Sequence, residues 1–474
     1  MSELTFLSAA AMAEQIRRRK ISPVELVDAH LAKIEKLNPV LNAFVQVDAE
    51  RAREAARRAE SAVTSSAALG PLHGVPISIK SSISVDGLRC EAGTRLRAGF
   101  VARQDAPLVT RLKRAGAIVL GSTNTPELLM AWETDNLLYG RTNNPWDLER
   151  TPGGSSGGEA AAIAAGMSAG GVGSDGGGSI RVPAHFGGIC GLKPTPGRIP
   201  STGHFPVSAG PFASIGVVGP MARTVEDLRI LFEAMQGADI GDTNAAPVPV
   251  RWPSDREVKA LKVGFFEDDG RTPVQAEIRG AVRTAAKALR DAGFRVEEFR
   301  PEGLEEARAL WWKYFVVAGG MLLRPMFSGR ESDISPILQQ FLDWASELPP
   351  HNGRTLLDAW IRRDALRAQF FAQMEEYPIL LCPPAAISAF RHGERSWEID
   401  GQTVKYLDAW SYAEFFNLLG NPAVVVPVGQ SSDRLPIGVQ IVGRSWEEEQ
   451  VLEVAAALEK ECGAWKIPPL ARDR

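Results

Sequence analysis

The chain has 474 residues, 45% of them hydrophobic and 23% charged; that is enough apolar material for a sizeable core, and length alone allows two or three domains, although large α/β enzymes exceed that guideline as one unit. A formal net charge of −4 gives no reason to expect a nucleic-acid or membrane-surface partner. No apolar run reaches the roughly 18 residues of a membrane span, and the N-terminus carries Glu3 without the apolar stretch of a secretory signal.

In chain order, residues 7 to 65 read as helices, with Ser22 as an N-cap and Pro23 in the first turn. The basic cluster Arg17-Arg18-Arg19-Lys20 reads as a solvated helix face. His73 to Lys80 is a short alternating apolar run, a buried strand with Lys80 at its tip. Pro107 to Ala115 predicts a helix and Ala117 to Leu120 a strand, a typical α/β unit. Residues 130–140 are expected along a cleft. A helix follows from Glu159 to Ala165, and residues 240–258 make a Pro-rich and polar surface connection. Leu261 to Phe266 predicts a strand, about Val274 to Ala292 a helix, and Arg295 to Phe299 another strand. From Glu302 to about Arg391 the pattern is helical and aromatic, with Trp311, Trp312, Tyr314, Phe315, Met321, Phe327, Phe341, Trp344 and Trp360. That region reads as a helical layer on the sheet and, as a group, as the wall of a substrate pocket. Strands at Ala423 to Val428 and Ile437 to Val442 and a helix from Glu447 to Glu461 close the chain.

Two serines stand in unusually glycine-rich settings, Gly153-Gly154-Ser155-Ser156-Gly157-Gly158 and Gly176-Gly177-Gly178-Ser179-Ile180-Arg181. Such turns let main-chain N–H groups approach a bound atom closely, so a serine there suits a nucleophile beside a backbone oxyanion hole. Neither serine lies in a Gly-x-Ser-x-Gly elbow, and no histidine has an acidic partner in a familiar hydrolase context. Lys80 supplies the alternative base: by itself it reads as a solvated strand end, but beside two such serines it reads as an amine whose pKa burial lowers. Phosphate-binding loops of the G-x-x-x-x-G-K-[ST] or G-x-G-x-x-G kind are absent, and the histidines and cysteines lack metal-ligand spacing. His185 and His204, near the motifs, read as packed or pocket-wall side chains. Cys90, Cys190, Cys382 and Cys462 are widely spaced, which suggests free thiols in a reducing compartment.

These segments resemble the amidase signature family, whose members use a Ser–cis-Ser–Lys triad. The resemblance runs from Ile21-Ser22-Pro23-Val24-Glu25-Leu26 through Gly74-Val75-Pro76-Ile77 and Gly121-Ser122-Thr123-Asn124-Thr125-Pro126-Glu127-Leu128 to Asn144-Pro145-Trp146-Asp147. It continues with Gly191-Leu192-Lys193-Pro194-Thr195, Val218-Gly219-Pro220-Met221-Ala222-Arg223, Asn421-Pro422-Ala423-Val424 and Leu435-Pro436-Ile437-Gly438-Val439-Gln440. By that resemblance Ser179 matches the nucleophile, Ser155 the serine after a cis peptide, and Lys80 the terminal base. The N–H groups of Gly176, Gly177, Gly178 and Ser179 match the oxyanion hole, and Asp175 and Arg181 a charged pair bracing the nucleophile loop. The chain departs from the pattern at Ser81 and Ser82, where an acidic residue and then Asn often follow the lysine, and at Gly176, where Thr or a larger residue is frequent.

The resemblance implies an α/β fold, one α/β/α layered domain over residues 1–474 around a large mixed sheet, with no cofactor and no metal. It implies a cytoplasmic hydrolase of small-molecule amides, with esters and carbamates (urethanes) as further substrates, since each presents a carbonyl with a heteroatom leaving group. Neither nucleic acid nor membrane is expected as partner, and a homodimer is compatible with this reading. The alternative is the glutaminase-type component of a tRNA-dependent amidotransferase complex, which shares the triad. The tryptophan-rich region after residue 302 suits a bulky apolar substrate better than glutamine.

Overall fold

A computed structural model describes residues 4–65, 68–463 and 465–472. Thirteen strands are seen among these residues, β1 (Phe44–Val47), β2 (Pro76–Lys80), β3 (Ile118–Thr123), β4 (Gly170–Asp175), β5 (Cys190–Lys193), β6 (Val217–Ala222), β7 (Lys262–Phe265), β8 (Arg295–Glu298), β9 (Ile379–Cys382), β10 (Ser396–Ile399), β11 (Gln402–Lys405), β12 (Ala423–Gln430) and β13 (Pro436–Val442). Eleven of them form one mixed sheet in the order β1-β3-β2-β4-β6-β5-β12-β13-β9-β7-β8, and β10 and β11 form a separate hairpin. β2 runs parallel to both β3 and β4, whereas β4, β6, β5, β12, β13 and β9 alternate antiparallel. This is the mixed α/β architecture expected from the sequence.

Every residue of β2, β4, β5, β6, β9 and β13 is buried. Helices cover both faces of the sheet centre, so these strands carry near-continuous apolar or small residues rather than alternation. The flanking helices bury one stripe each. In Ala276–Asp291 the buried positions are Ile278, Ala281, Val282, Ala285, Ala286 and Leu289, the three-and-four spacing of a one-sided helix. The helix Gly157–Ala164 is buried on every side, which its small residues permit. Ser22 Oγ accepts from the N–H groups of Val24 and Glu25, and Pro23 opens the helix Pro23–Leu41, as the sequence predicts. None of the described helices is long and apolar enough to cross a membrane.

Three expectations need correction. Residues 7 to 65 are not all helical: β1 interrupts them and pairs antiparallel with β3, a four-residue strand held by tertiary pairing with little local pattern of its own. The region after Glu302 is helical over Leu304–Trp311, a π-helical turn at Trp312–Val317, Ala318–Leu323, Pro336–Ala345 and Gly353–Gln373, but it then enters the sheet as β9. Four consecutive buried apolar residues, Ile379-Leu380-Leu381-Cys382, fit a central strand as well as a helix. The polar connection at 240–258 also ends in a capped helix, Asp255–Ala260, where Ser254 and Glu257 form a capping box.

Candidate active site

Lys80 ends β2, between β3 and β4, and is fully buried. Its Nζ lies 2.6 Å from Ser155 Oγ, 3.0 Å from Ser156 Oγ and 3.0 Å from Ser174 Oγ. Burial drives the Lys80 pKa well below its ordinary value, and the charges of Asp175 and Glu159 offset that only in part. Glu159 sits behind, its carboxylate accepting from the hydroxyls of Ser78 and Thr123, and burial raises its pKa to about 7. The amine therefore faces hydroxyl groups and, among the described residues, has no carboxylate in hydrogen-bond contact.

Ser155 follows a cis peptide from Gly154, and its carbonyl accepts from Thr125 Oγ1 at 2.8 Å. Gly153, with φ 86°, takes a left-handed backbone turn that suits glycine. The second turn starts where β4 ends. Asp175 Oδ1 accepts from the Gly178 N–H at 2.7 Å and from Arg181 Nη2 at 3.0 Å, while Oδ2 accepts from the N–H of Ile180 and Arg181 Nε at 3.0 and 3.1 Å. Burial by itself would raise the Asp175 pKa, but the charge and hydrogen bonds of Arg181 prevail and hold it well below the usual carboxylate range. Arg181 Nη1 donates to Gln440 at 2.9 Å, and Nη2 also reaches Asn417.

Two indoles fix the orientation of this turn. Trp311 Nε1 donates to the Gly176 carbonyl at 2.9 Å and Trp132 Nε1 to the Gly177 carbonyl at 2.7 Å. In a trans peptide the N–H points away from the preceding carbonyl, so Trp311 turns the Gly177 N–H away from itself, and Trp132 turns the Gly178 N–H toward Asp175. Of the four N–H groups expected as donors to an oxyanion, that of Gly178 is engaged by Asp175. Those of Gly176, Gly177 and Ser179 have no hydrogen-bond partner among the described residues.

Ser155, Ser174, Gly176 and Ser179 open together onto a cavity of about 270 Å³. Of the aromatic residues singled out after Glu302, Phe315 reaches this cavity; the same helical stretch adds Gly319, Leu322, Leu323 and Met326. Within 130–140 Met130 lines it, while Trp132 and Glu133 are buried behind. His204 lies on the wall, its Nδ1 bonded to the Pro206 carbonyl at 2.9 Å. His185 is packed away from the cavity, accepting from the Gly438 N–H and donating to the Ile387 carbonyl.

Sequence reasoning missed Ser156 and Ser174, whose hydroxyls complete the ring around Lys80, and the segment from Phe205 to Val217, which with the expected His204 forms one side of the cavity. Ser156 and Ser174 each adjoin a residue that was singled out, and nothing in the linear pattern ranks them above other serines. The Pro- and Gly-punctuated run Phe205-Pro206-Val207-Ser208-Ala209-Gly210-Pro211-Phe212 was the available signal for a shaped loop. No three His, Cys, Asp or Glu side chains converge as metal ligands among the described residues.

The site thus gathers a buried lysine amine and serine hydroxyls at the end of a central strand in a mixed α/β sheet, and among the described residues no histidine is in hydrogen-bond contact with them. Comparison with known proteins carries the assignment to a family. The chain belongs to the amidase family, whose Amidase model matches residues 25–452, and it is an amidase signature enzyme that hydrolyses C–N amide bonds. It is 34% identical to an acylamidase of Rhodococcus erythropolis, over 96% of this chain and 95% of that protein. It is equally 34% identical to a glutamyl-tRNA(Gln) amidotransferase component of Synechococcus sp. (strain WH7803), over 98% and 99%. Among solved structures, a bacterial aryl acylamidase of the amidase signature family superimposes with a TM-score of 0.84 at 27% identity, over 96% of each chain.

Proposed function

We propose that Ser179 is the nucleophile of a hydrolase acting on small amides with apolar substituents, with Ser155 as proton carrier and Lys80 as base. The observation that carries this reading is the 2.6 Å contact between the buried Lys80 Nζ and Ser155 Oγ, with Ser155 and Ser179 on one cavity. A neutral amine takes the Ser155 proton as Ser155 takes that of Ser179, and Ser179 Oγ adds to the amide carbonyl. The oxyanion is received by the free N–H groups of Gly176, Gly177 and Ser179. Losing one such donor typically costs ~10²–10³ in turnover. The reverse relay delivers a proton to the departing nitrogen, the C–N bond breaks, and water repeats the route to release the acid.

The cavity supports a small, largely uncharged substrate. Its volume of about 270 Å³ lies just under the range of roughly 300–1,000 Å³ typical of drug-sized ligands. Among the described residues its lining has one carboxylate, Asp175, already held by Arg181. The α-amino and α-carboxylate groups of glutamine would find no free counter-charge there, and burying them unpaired is unfavourable. Likeness to the aryl acylamidase supports aryl amides as the first class to test; esters and carbamates are attacked by the same route. The glutaminase reading is kept by the 34% identity to the amidotransferase component.

The deciding experiment purifies the chain and assays para-nitroanilides, phenyl carbamates and glutamine side by side, with Ser179→Ala as control. Anilide cleavage lost in Ser179→Ala, together with labelling of Ser179 by a sulfonyl fluoride, is the expected result. Glutamine as the sole good substrate, or labelling elsewhere, overturns it.

A further inference from the structure

Gly176 is glycine for a reason visible on the cavity side. A Cβ placed there would stand 2.7 Å from Phe315 Cε2, and one on Gly177 would stand 2.5 Å from Trp311 Cζ2. Both distances are too short for a real contact, so two aromatic rings occupy the space that side chains on the nucleophile turn would need. The rings stack with centroids 4.9 Å apart and an interplanar angle of 14°. Phe341 meets Phe315 edge-on at 6.2 Å and 84°, and Phe212 at 6.2 Å and 71°. Phe315 is thereby held between a stacked indole and two edge contacts, and it lines the cavity together with Gly176 and Phe212. It sits in the π-helical turn Trp312–Val317, a distortion found frequently at functional sites.

We infer that Phe315 sets the size limit on the acyl group of the substrate, by filling the space left beside the nucleophile turn at Gly176. The inference rests on the serine–lysine reading given above. There, the leaving nitrogen faces Ser155, which returns its proton, and the acyl group is assigned to the wall that Phe315 forms against Gly176 on the nucleophile turn. The class of acyl group that fits is short or flat and apolar. An extra methylene at such a wall changes kcat/KM by about 10–200-fold.

The test measures kcat/KM for the para-nitroanilides of acetic, butyric and hexanoic acids with the wild type, Phe315→Leu, Gly176→Ala and the double variant. The wild type favours the short acyl groups. Phe315→Leu raises the hexanoyl-to-acetyl ratio at least about tenfold, and Gly176→Ala lowers activity on all three. Adding Phe315→Leu to Gly176→Ala restores at least about tenfold of that loss, because the new Cβ then has room. A purely structural role for Phe315 would reduce all three rates by a common factor without rescue of Gly176→Ala, and that result overturns the inference. Cleavage of the anilides with an unmoved ratio refutes this inference alone, whereas a wild type that cleaves none of them removes the underlying reading as well.

Discussion

An amine taken out of water keeps its proton only where opposite charge compensates, and at Lys80 the compensation is partial. Burial lowers its pKa strongly while Asp175 and Glu159 draw it back up. Two consequences are measurable. Lys80→Ala should lower kcat/KM by about 10²–10⁴-fold, the range for a positioned general base, and the wild-type rate should fall on the acid side as the amine takes up its proton. The same shift acts on stability with a definite sign. Between the depressed folded pKa and the ordinary value of about 10.4 the unfolded chain binds more protons. Wild-type stability relative to Lys80→Met should therefore rise with pH through that window, read from urea midpoints at a series of pH values. Trp311 gives the third residue-scale expectation. Trp311→Phe keeps a ring but removes the donor to the Gly176 carbonyl, so kcat should fall with KM little changed, the signature of an N–H that matters mainly in the transition state.

At the scale of elements, ends and turns carry the argument. Ser22→Ala removes the side-chain acceptor at the start of Pro23–Leu41 and should cost about 1 kcal/mol of stability in chemical denaturation, with substrate turnover unchanged. That cap was legible in the sequence, as were β2 ending at Lys80 and the closing pair β12 and β13, because each has a strong local signal: a Ser-Pro start or an apolar run of strand length. β1 and β9 were not, since four residues owe their conformation to the neighbour they pair with. The glycine turns were legible for the same reason that they function, a density of residues without side chains. What occupies the space beside them is Trp132, Trp311 and Phe315, which the sequence placed along a cleft and in a pocket wall without showing which ring meets which turn. The same holds for the N–H of Gly178, which counts as a donor to substrate until Asp175 is seen to hold it.

For the whole molecule the decisive contact is the Asp175–Arg181 pair, both side chains fully buried. Arg181→Met would leave the Asp175 carboxylate uncompensated and should cost about 3–5 kcal/mol of stability, measured by urea denaturation. The pH dependence follows from the lowered carboxyl pKa. The contribution of Asp175 is complete above its unfolded value of about 3.9 and is lost as pH falls through the lower folded value. Acid unfolding of the wild type should thus lose this contribution only below about pH 4, and the Asp175→Asn/Arg181→Met double variant should lack that step.

Arg181 also donates to Asn417 and Gln440, and this bears on how the protein is made. Lys80, Ser155 and Ser179 all leave the ribosome in the first part of synthesis, yet the guanidinium that braces the Ser179 turn finds its remaining acceptors only when the helix Ser411–Leu418 and β13 emerge. On the proposed mechanism a nascent chain should stay inert until it is nearly finished, and a fragment ending before Asn417 should contain Lys80, Ser155 and Ser179 and show no turnover.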